Sequence, residues 1–329
     1  MPAFDLPPAQ LESHRPDVTE PADFDAFWKR TLDQAEDAGD AVVSAEPVDS
    51  CLRLTETWDV TFRGFAGDPV RAWFSRPARA TAPFRPWWSS RGTDAAEASP
   101  RAADLGERRV RASADGQPRP GRPVRLRRRH PDPHAGAPGG PGPAVRGLLD
   151  PRDYHYRRLI TDAVRAVDAV RALPGVDASR VAAVGNSQGG GLALAVAGLV
   201  PDLAAVLVTA PFLCGIRRAL DLTDLPPYGE ISAYLAVHRG AEEAAHRTLG
   251  HVEGISFARR AHAPAHFGVG LRDTVCPPSG TYAAFNRYAE LSGGRPSKVL
   301  HAYPYNGHEG GDAVHVRRQL GWAREVLGS

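Results

Sequence analysis

The sequence predicts an α/β fold, a mainly parallel sheet flanked by helices, in one domain spanning residues 1–329. Three observations point there. With 329 residues, 42% of them hydrophobic and 24% charged, the chain can bury a large core without disulfide or metal staples. From Leu148 onward short apolar runs alternate with helical patterns, the order that builds parallel strands joined by right-handed crossovers. A pentapeptide, Gly185-Asn186-Ser187-Gln188-Gly189, falls where a buried strand gives way to a helix.

The elements run in chain order. Asp23, Phe24, Phe27, Trp28 and Leu32 recur at helical spacing, and Pro21 or Asp23 suits the start, so an amphipathic helix is expected on the surface of a larger body. Between Leu52 and Arg76 the period changes to two. Trp58, Val60 and Phe62 share one face, Val70, Ala72 and Phe74 come after the Gly64 to Asp68 turn, and the pair reads as an antiparallel hairpin. Tyr156, Ile160, Val164, Val167 and Val170 make a helix face. Buried strands are expected at Val181 to Val184, Ala204 to Thr209, Ala265 to Gly270 and Val299 to Tyr303. Helices are expected at Leu192 to Leu199, Thr281 to Tyr288 and Val314 to Val326, and the less regular stretch from Phe212 to Arg260 reads as inserted helices.

Composition narrows the function classes. Three cysteines, Cys51, Cys214 and Cys276, form neither a CxxC pair nor an even framework, and the N-terminal residues lack a signal-peptide pattern, so a reducing cytoplasm is expected. No apolar run approaches the roughly 18 residues that cross a bilayer, so no membrane partner is expected. Residues 87–130 fit neither periodicity. Ten arginines face three acids between Arg101 and His130, which leaves the rest of the chain mildly acidic despite a net charge of +2. Without interleaved aromatics this run is not expected to bind nucleic acid.

The pentapeptide is a GxSxG motif in the context a nucleophile elbow needs. A strand precedes it, the small residues Gly190, Gly191, Leu192 and Ala193 come next, and Gly185 and Gly189 leave room for a strained serine. Serine attacks only when a base takes its proton. Asp273 follows one expected strand and His308 the next, so both emerge at the carboxyl edge of the sheet, where α/β folds gather their sites. No metal is expected: Pro264 breaks the helix that would place His262 and His266 on one face, and His130 and His134 lie in the irregular stretch.

These residues belong to longer motifs. The opening MPAFDLPPAQLESHRP with DFDAFW, then RGLLDPRDYHYRRLITDAVRAVD, GNSQGGG, APFLC, GLRDTVCPPS and YPYNGHEGG, together resemble the acetyl xylan esterase and cephalosporin-C deacetylase family of α/β-hydrolases. The resemblance covers roughly residues 1–86 and 131–329. It implies an α/β-hydrolase fold and a cytoplasmic serine esterase that deacetylates short xylo-oligosaccharides and related acetate esters, without a cofactor, often as a ring-like homo-hexamer. It implies Ser187 as nucleophile, Asp273 as acid and His308 as base, with the Gln188 backbone N–H as one oxyanion donor.

Residues 87–130 depart from the family, which has there an apolar strand, a GY(N/G)GG turn supplying the second oxyanion donor, and a DTRGQG segment. That strand is expected to be absent and the second donor is missing near Gly92 and Thr93. The codons offer a reason. Reading each third base with the next two, Trp87-Trp88-Ser89 gives Val-Val for a TCN serine codon, and Arg91 to Pro100 permits Gly-Tyr-Gly-x-Gly-Arg-Gly-Leu-Pro. In the other frame Asp115 to Arg122 permits Met-Asp-Ser-Arg-Gly-Gln-Gly. Out-of-frame translation of about 45 residues is therefore expected, since an ordered catalytic domain rarely holds so long an irregular loop. Two alternatives remain: a hydrolase of another ester, lactone or peptide on the same fold, or a product impaired by the altered segment.

Overall fold

Alternation in the first third of the chain becomes an antiparallel meander. The computed structural model describes residues 4–78 and 142–328, and the short segments 86–90 and 110–114 by their backbone. Strand β2 (Thr55–Arg63) pairs with β3 (Pro69–Pro77) so that Trp58 lies opposite Phe74, Val60 opposite Ala72 and Phe62 opposite Val70, with Val60, Phe62, Ala72 and Phe74 buried. An added strand, β1 (Val42–Val48), pairs antiparallel with β2. Its mostly exposed residues, Glu46 and Pro47 among them, lack the alternation that would announce it, as suits an edge strand.

The parallel half matches the expected order. Strands β6 (Ala182–Asn186), β7 (Ala205–Thr209), β8 (Ala265–Gly270) and β9 (Lys298–Tyr303) lie side by side. Helices α3 (His155–Ala172), α4 (Gln188–Leu199), α9 (Pro278–Arg287) and α10 (Asp312–Leu327) alternate with them along the chain. The stretch read as inserted helices holds four: α5 (Ile216–Leu222), α6 (Tyr228–Val237), α7 (Glu242–Gly250) and α8 (Gly254–Arg260). Helix α4 begins four residues before the expected Leu192, with Gly189 to Gly191 in its first turn.

The expected loss of a central strand is corrected. Segment β4 (Pro86–Ser90) lies parallel to β6, with Trp87 opposite Ala182 and Ser90 opposite Gly185. Segment β5 (Val110–Ala114) joins β4 in parallel and β3 antiparallel. The sheet order is β1-β2-β3-β5-β4-β6-β7-β8-β9. A tryptophan pair followed by serines has ample β-propensity, and the expectation that discounted it rested on the arginine-rich residues beyond. The GY-type turn positions Gly92 and Thr93, and the Gly116 to Gly121 stretch, lie outside the described residues.

Helix α2 (Phe24–Glu36) lies on this body as its amphipathic pattern requires, and a short helix α1 (Pro8–Glu12), which the pattern does not announce, precedes it. Trp28 is fully buried against Phe257 of α8 and donates its indole N–H to the His251 carbonyl at 2.8 Å. Leu11 of α1 packs with Tyr282 of α9.

Candidate active site

Ser187 stands at the end of β6 with φ 57° and ψ −122°, a backbone region that non-glycine residues occupy only when their surroundings hold them there. Three hydrogen bonds do so. Its N–H donates to the Thr209 carbonyl at 3.0 Å, and its carbonyl accepts from the N–H groups of Gly191 at 3.1 Å and Phe212 at 2.9 Å. The neighbouring glycines are sterically required. A Cβ on Gly185 would sit 1.9 Å from the Gly189 carbonyl oxygen, and one on Gly191 would sit 2.3 Å from that of Phe212. The run Gly189 to Gly191 thus lets α4 start immediately after the serine, against the strand that comes next.

Asp273 is fully buried in the loop after β8. Its Oδ1 accepts from the backbone N–H groups of Val275 and Cys276, both at 2.9 Å, which turns Oδ2 toward His308 Nδ1 at 2.8 Å. His308 lies in the loop after β9, and its Nε2 is 2.8 Å from Ser187 Oγ. The two loops are tied together: Arg272 N–H donates to the Asn306 carbonyl at 2.9 Å, and a Cβ on Gly270 would meet the Gly307 carbonyl oxygen at 2.1 Å. The three residues expected from sequence therefore form one continuous hydrogen-bonded chain at the carboxyl edge of β6, β8 and β9.

Gln188 opens α4, so its backbone N–H has no intrahelical acceptor and is available beside Ser187. Its side chain is buried, a feature the sequence does not announce. Nε2 donates to the Tyr156 hydroxyl at 3.0 Å, and Tyr156 packs edge-on to Phe212, which in turn packs on Tyr228. Tyr156 is fully buried, and burial pushes its phenol up. Cys276 is a second neighbour that sequence reasoning missed: its thiol is buried, and burial, then the nearby Asp273, holds it well above the usual range, while a hydrogen bond with Ser187 acts in the opposite sense. Nothing in a lone cysteine within GLRDTVCPPS distinguishes such a position.

Glu309, adjacent to His308, serves its own turn. Its carboxylate accepts from Asn306 Nδ2 at 2.8 Å and from the Gly307 N–H, and the Asn306 amide leads the contacts that hold its carboxyl below the ordinary value. His266 is buried in β8 and His262 is exposed, whereas His130 and His134 lie outside the described residues. Among the described residues no group of three or more His, Cys, Asp or Glu is arranged to hold a metal ion.

With this geometry in view, the profile of the acetyl xylan esterase (AXE1) family matches residues 1–326. The solved acetyl xylan esterase from Paenibacillus sp. R4 is similar with TM-score 0.87 and 30% identity, covering 97% of this chain and 99% of that one. Acetyl xylan esterase 1 from Thermoanaerobacterium sp. JW/SL YS485 is similar with TM-score 0.84 and 26% identity, covering 99% of this chain and 100% of that one. Among curated proteins, the acetyl esterase Axe7A of Xylanibacter ruminicola is 30% identical over 147 residues, 44% of this chain and 32% of that protein's length. The match thus spans about a third of that relative.

Proposed function

The chain belongs to the acetyl xylan esterase family of α/β-hydrolase serine esterases, and from that premise we propose that it deacetylates xylo-oligosaccharides and related acetate esters, cephalosporin C among them. Ser187 Oγ attacks the acetyl carbonyl as His308 Nε2 takes its proton, and Asp273 holds the imidazole in the tautomer and orientation that this needs. The Gln188 N–H stabilises the oxyanion. The tetrahedral intermediate collapses, His308 returns the proton to the departing sugar hydroxyl, and an acetyl ester remains on Ser187. Water, deprotonated by His308, then releases acetate. This chemistry needs no cofactor or metal.

The observation that carries the reading is the chain of two 2.8 Å hydrogen bonds from Ser187 through His308 to Asp273, built on a backbone that already holds the strained serine. The test is acetate release from an acetylated xylo-oligosaccharide, with p-nitrophenyl acetate, butyrate and octanoate and an aminoacyl p-nitroanilide alongside. Acetyl esters are expected to be cleaved fastest. Preferred cleavage of the anilide or the long esters would overturn the assignment in favour of a peptidase or lipase on the same fold.

The same reading extends to setting. All three cysteines are unpaired, Cys51 at the surface, which supports a reducing compartment such as the cytoplasm. No helix among the described residues is long and apolar enough to cross a membrane. The family resemblance supports a homo-oligomer, a hexamer in its ring-like form, and light scattering on the eluting protein tests it: a monomer would exclude that state.

A further inference from the structure

Tyr305 is 82% exposed, the most exposed of the large hydrophobic residues among those described. A single exposed aromatic is ordinary on a protein surface. Its position here is not. It stands in the turn after β9, three residues before His308, so its Cα lies within ~11 Å of the histidine's. The Arg272 guanidinium carbon lies 5.3 Å from its ring centroid, and Arg272 immediately precedes Asp273. The ring therefore sits where the loops carrying the proposed acid and base meet.

That turn is also closely hydrogen-bonded. The Arg272 N–H to Asn306 carbonyl bond spans the two loops, the Asn306 side chain and the Gly307 N–H are both held by Glu309, and the Leu271 N–H donates to the Tyr303 carbonyl at 3.0 Å. An aromatic ring held by a fixed backbone can bind a flat, partly apolar ligand with little ordering cost. A pyranose ring is such a ligand: its C–H face suits an aromatic surface, and its hydroxyls suit a guanidinium and a phenol at the margin.

Building on the esterase reading, we propose that Tyr305, backed by Arg272, is the sugar platform of the site, stacking on a pyranose ring of the acetylated oligosaccharide while its acetyl group reaches Ser187. Tyr305 acts on the leaving-group side. It therefore determines which acetate esters bind, and leaves the reaction at the acetyl carbon unchanged.

The experiment compares the full chain with Tyr305→Ala and Tyr305→Phe on two substrates, acetylated xylotriose and ethyl acetate, whose leaving group is too small to reach the ring. For Tyr305→Ala, KM on the sugar ester should rise about tenfold, the size of one aromatic stacking contact, with kcat/KM on ethyl acetate within about twofold. Tyr305→Phe should keep most of the sugar affinity. Unacetylated xylotriose should inhibit ethyl acetate hydrolysis competitively in the parent and at about tenfold higher concentration in Tyr305→Ala. Unchanged sugar kinetics and inhibition in Tyr305→Ala, or equal losses on both substrates, would overturn the platform while leaving the esterase reading intact. A parent that hydrolyses ethyl acetate and neither cleaves nor binds the sugar would overturn both the platform and the xylo-oligosaccharide substrate.

Discussion

Ser187 combines a strained backbone with a side chain hydrogen-bonded to His308 Nε2, and the two can be separated by mutation. Ser187→Ala should keep the fold, because the three backbone hydrogen bonds that hold its φ of 57° do not involve Oγ. It should nevertheless remove acetyl-ester hydrolysis, on the order of 10⁶ in kcat, and His308→Ala should cost as much because the members of such a chain act as a unit. Asp273→Asn should cost less, about 10⁴, since serine and base remain. Rates on p-nitrophenyl acetate check all three, with circular dichroism to confirm folding; an Asp273→Asn enzyme at the parent rate would show that another group orients His308. Glu309 is poorly placed for that role, being bound to its own turn. A quieter residue is Tyr156. Its hydroxyl accepts from the buried Gln188 amide, so Tyr156→Phe leaves that donor unpaired and should lower unfolding free energy by about 1–3 kcal/mol, read from denaturant midpoints.

At the scale of elements, legibility tracks periodicity. The β2–β3 hairpin is readable because Trp58, Val60 and Phe62 alternate and their partners across the turn alternate in step, and α3 is readable from its apolar face. Strand β1 is not, since an edge strand with Glu46 and Pro47 has no buried face to mark it. The proposed catalytic order Ser187, Asp273, His308 is legible because each lies just beyond a strand, and parallel strands release their loops at a single sheet edge. A cluster that depends on three elements is invisible in the sequence. His266 of β8, His301 of β9 and His315 of α10 cluster in tilted and edge-on contacts with ring centroids 4.9, 5.1 and 6.3 Å apart, next to Trp322, and Tyr303 shares a hydrogen bond of 3.0 Å with His315 Nδ1. Burial, then His301, lowers His266 to about 4; burial, then His266, lowers His315 to about 3. Arg318, beside His301, acts in the same sense. Both groups bind protons more weakly in the folded chain than in the unfolded one, where the ordinary value is about 6.5. Their contribution to stability is therefore complete above about pH 6.5 and is lost as the pH falls through 4 toward 3. Melting temperature should drop across that window, and His266→Phe should flatten the drop; an unchanged slope would mean that other groups govern the acid limb.

For the whole molecule the decisive stretch is residues 87–130. Its arginine excess and lack of period suggest the loss of a central strand, yet β4 occupies that place beside β6 and β5 continues the sheet toward β3. The reading-frame proposal accounts for this as well as for the composition, because shifted codons replace a Val-Val pair with Trp87-Trp88, and both pairs favour extended backbone. Such a shift would alter residues 91–100, the stretch from which family members draw a second oxyanion donor. A sheet with this order keeps β6 paired on both sides, so the chain with its present residues should fold and melt within a few degrees of a restored version. The restored version carries Val-Val and the Gly-Tyr-Gly turn in place of Trp87 to Pro100, and Asp-Ser-Arg-Gly-Gln-Gly in place of Gly116 to Gly121. Its kcat on acetyl esters should be at least about a hundredfold higher, the low end for one oxyanion donor. Expressing both side by side, with a genomic read across Trp87 to His130, checks it. Equal kcat values would mean that the present segment supplies its own donor, and an unbroken genomic frame would show that these residues are native.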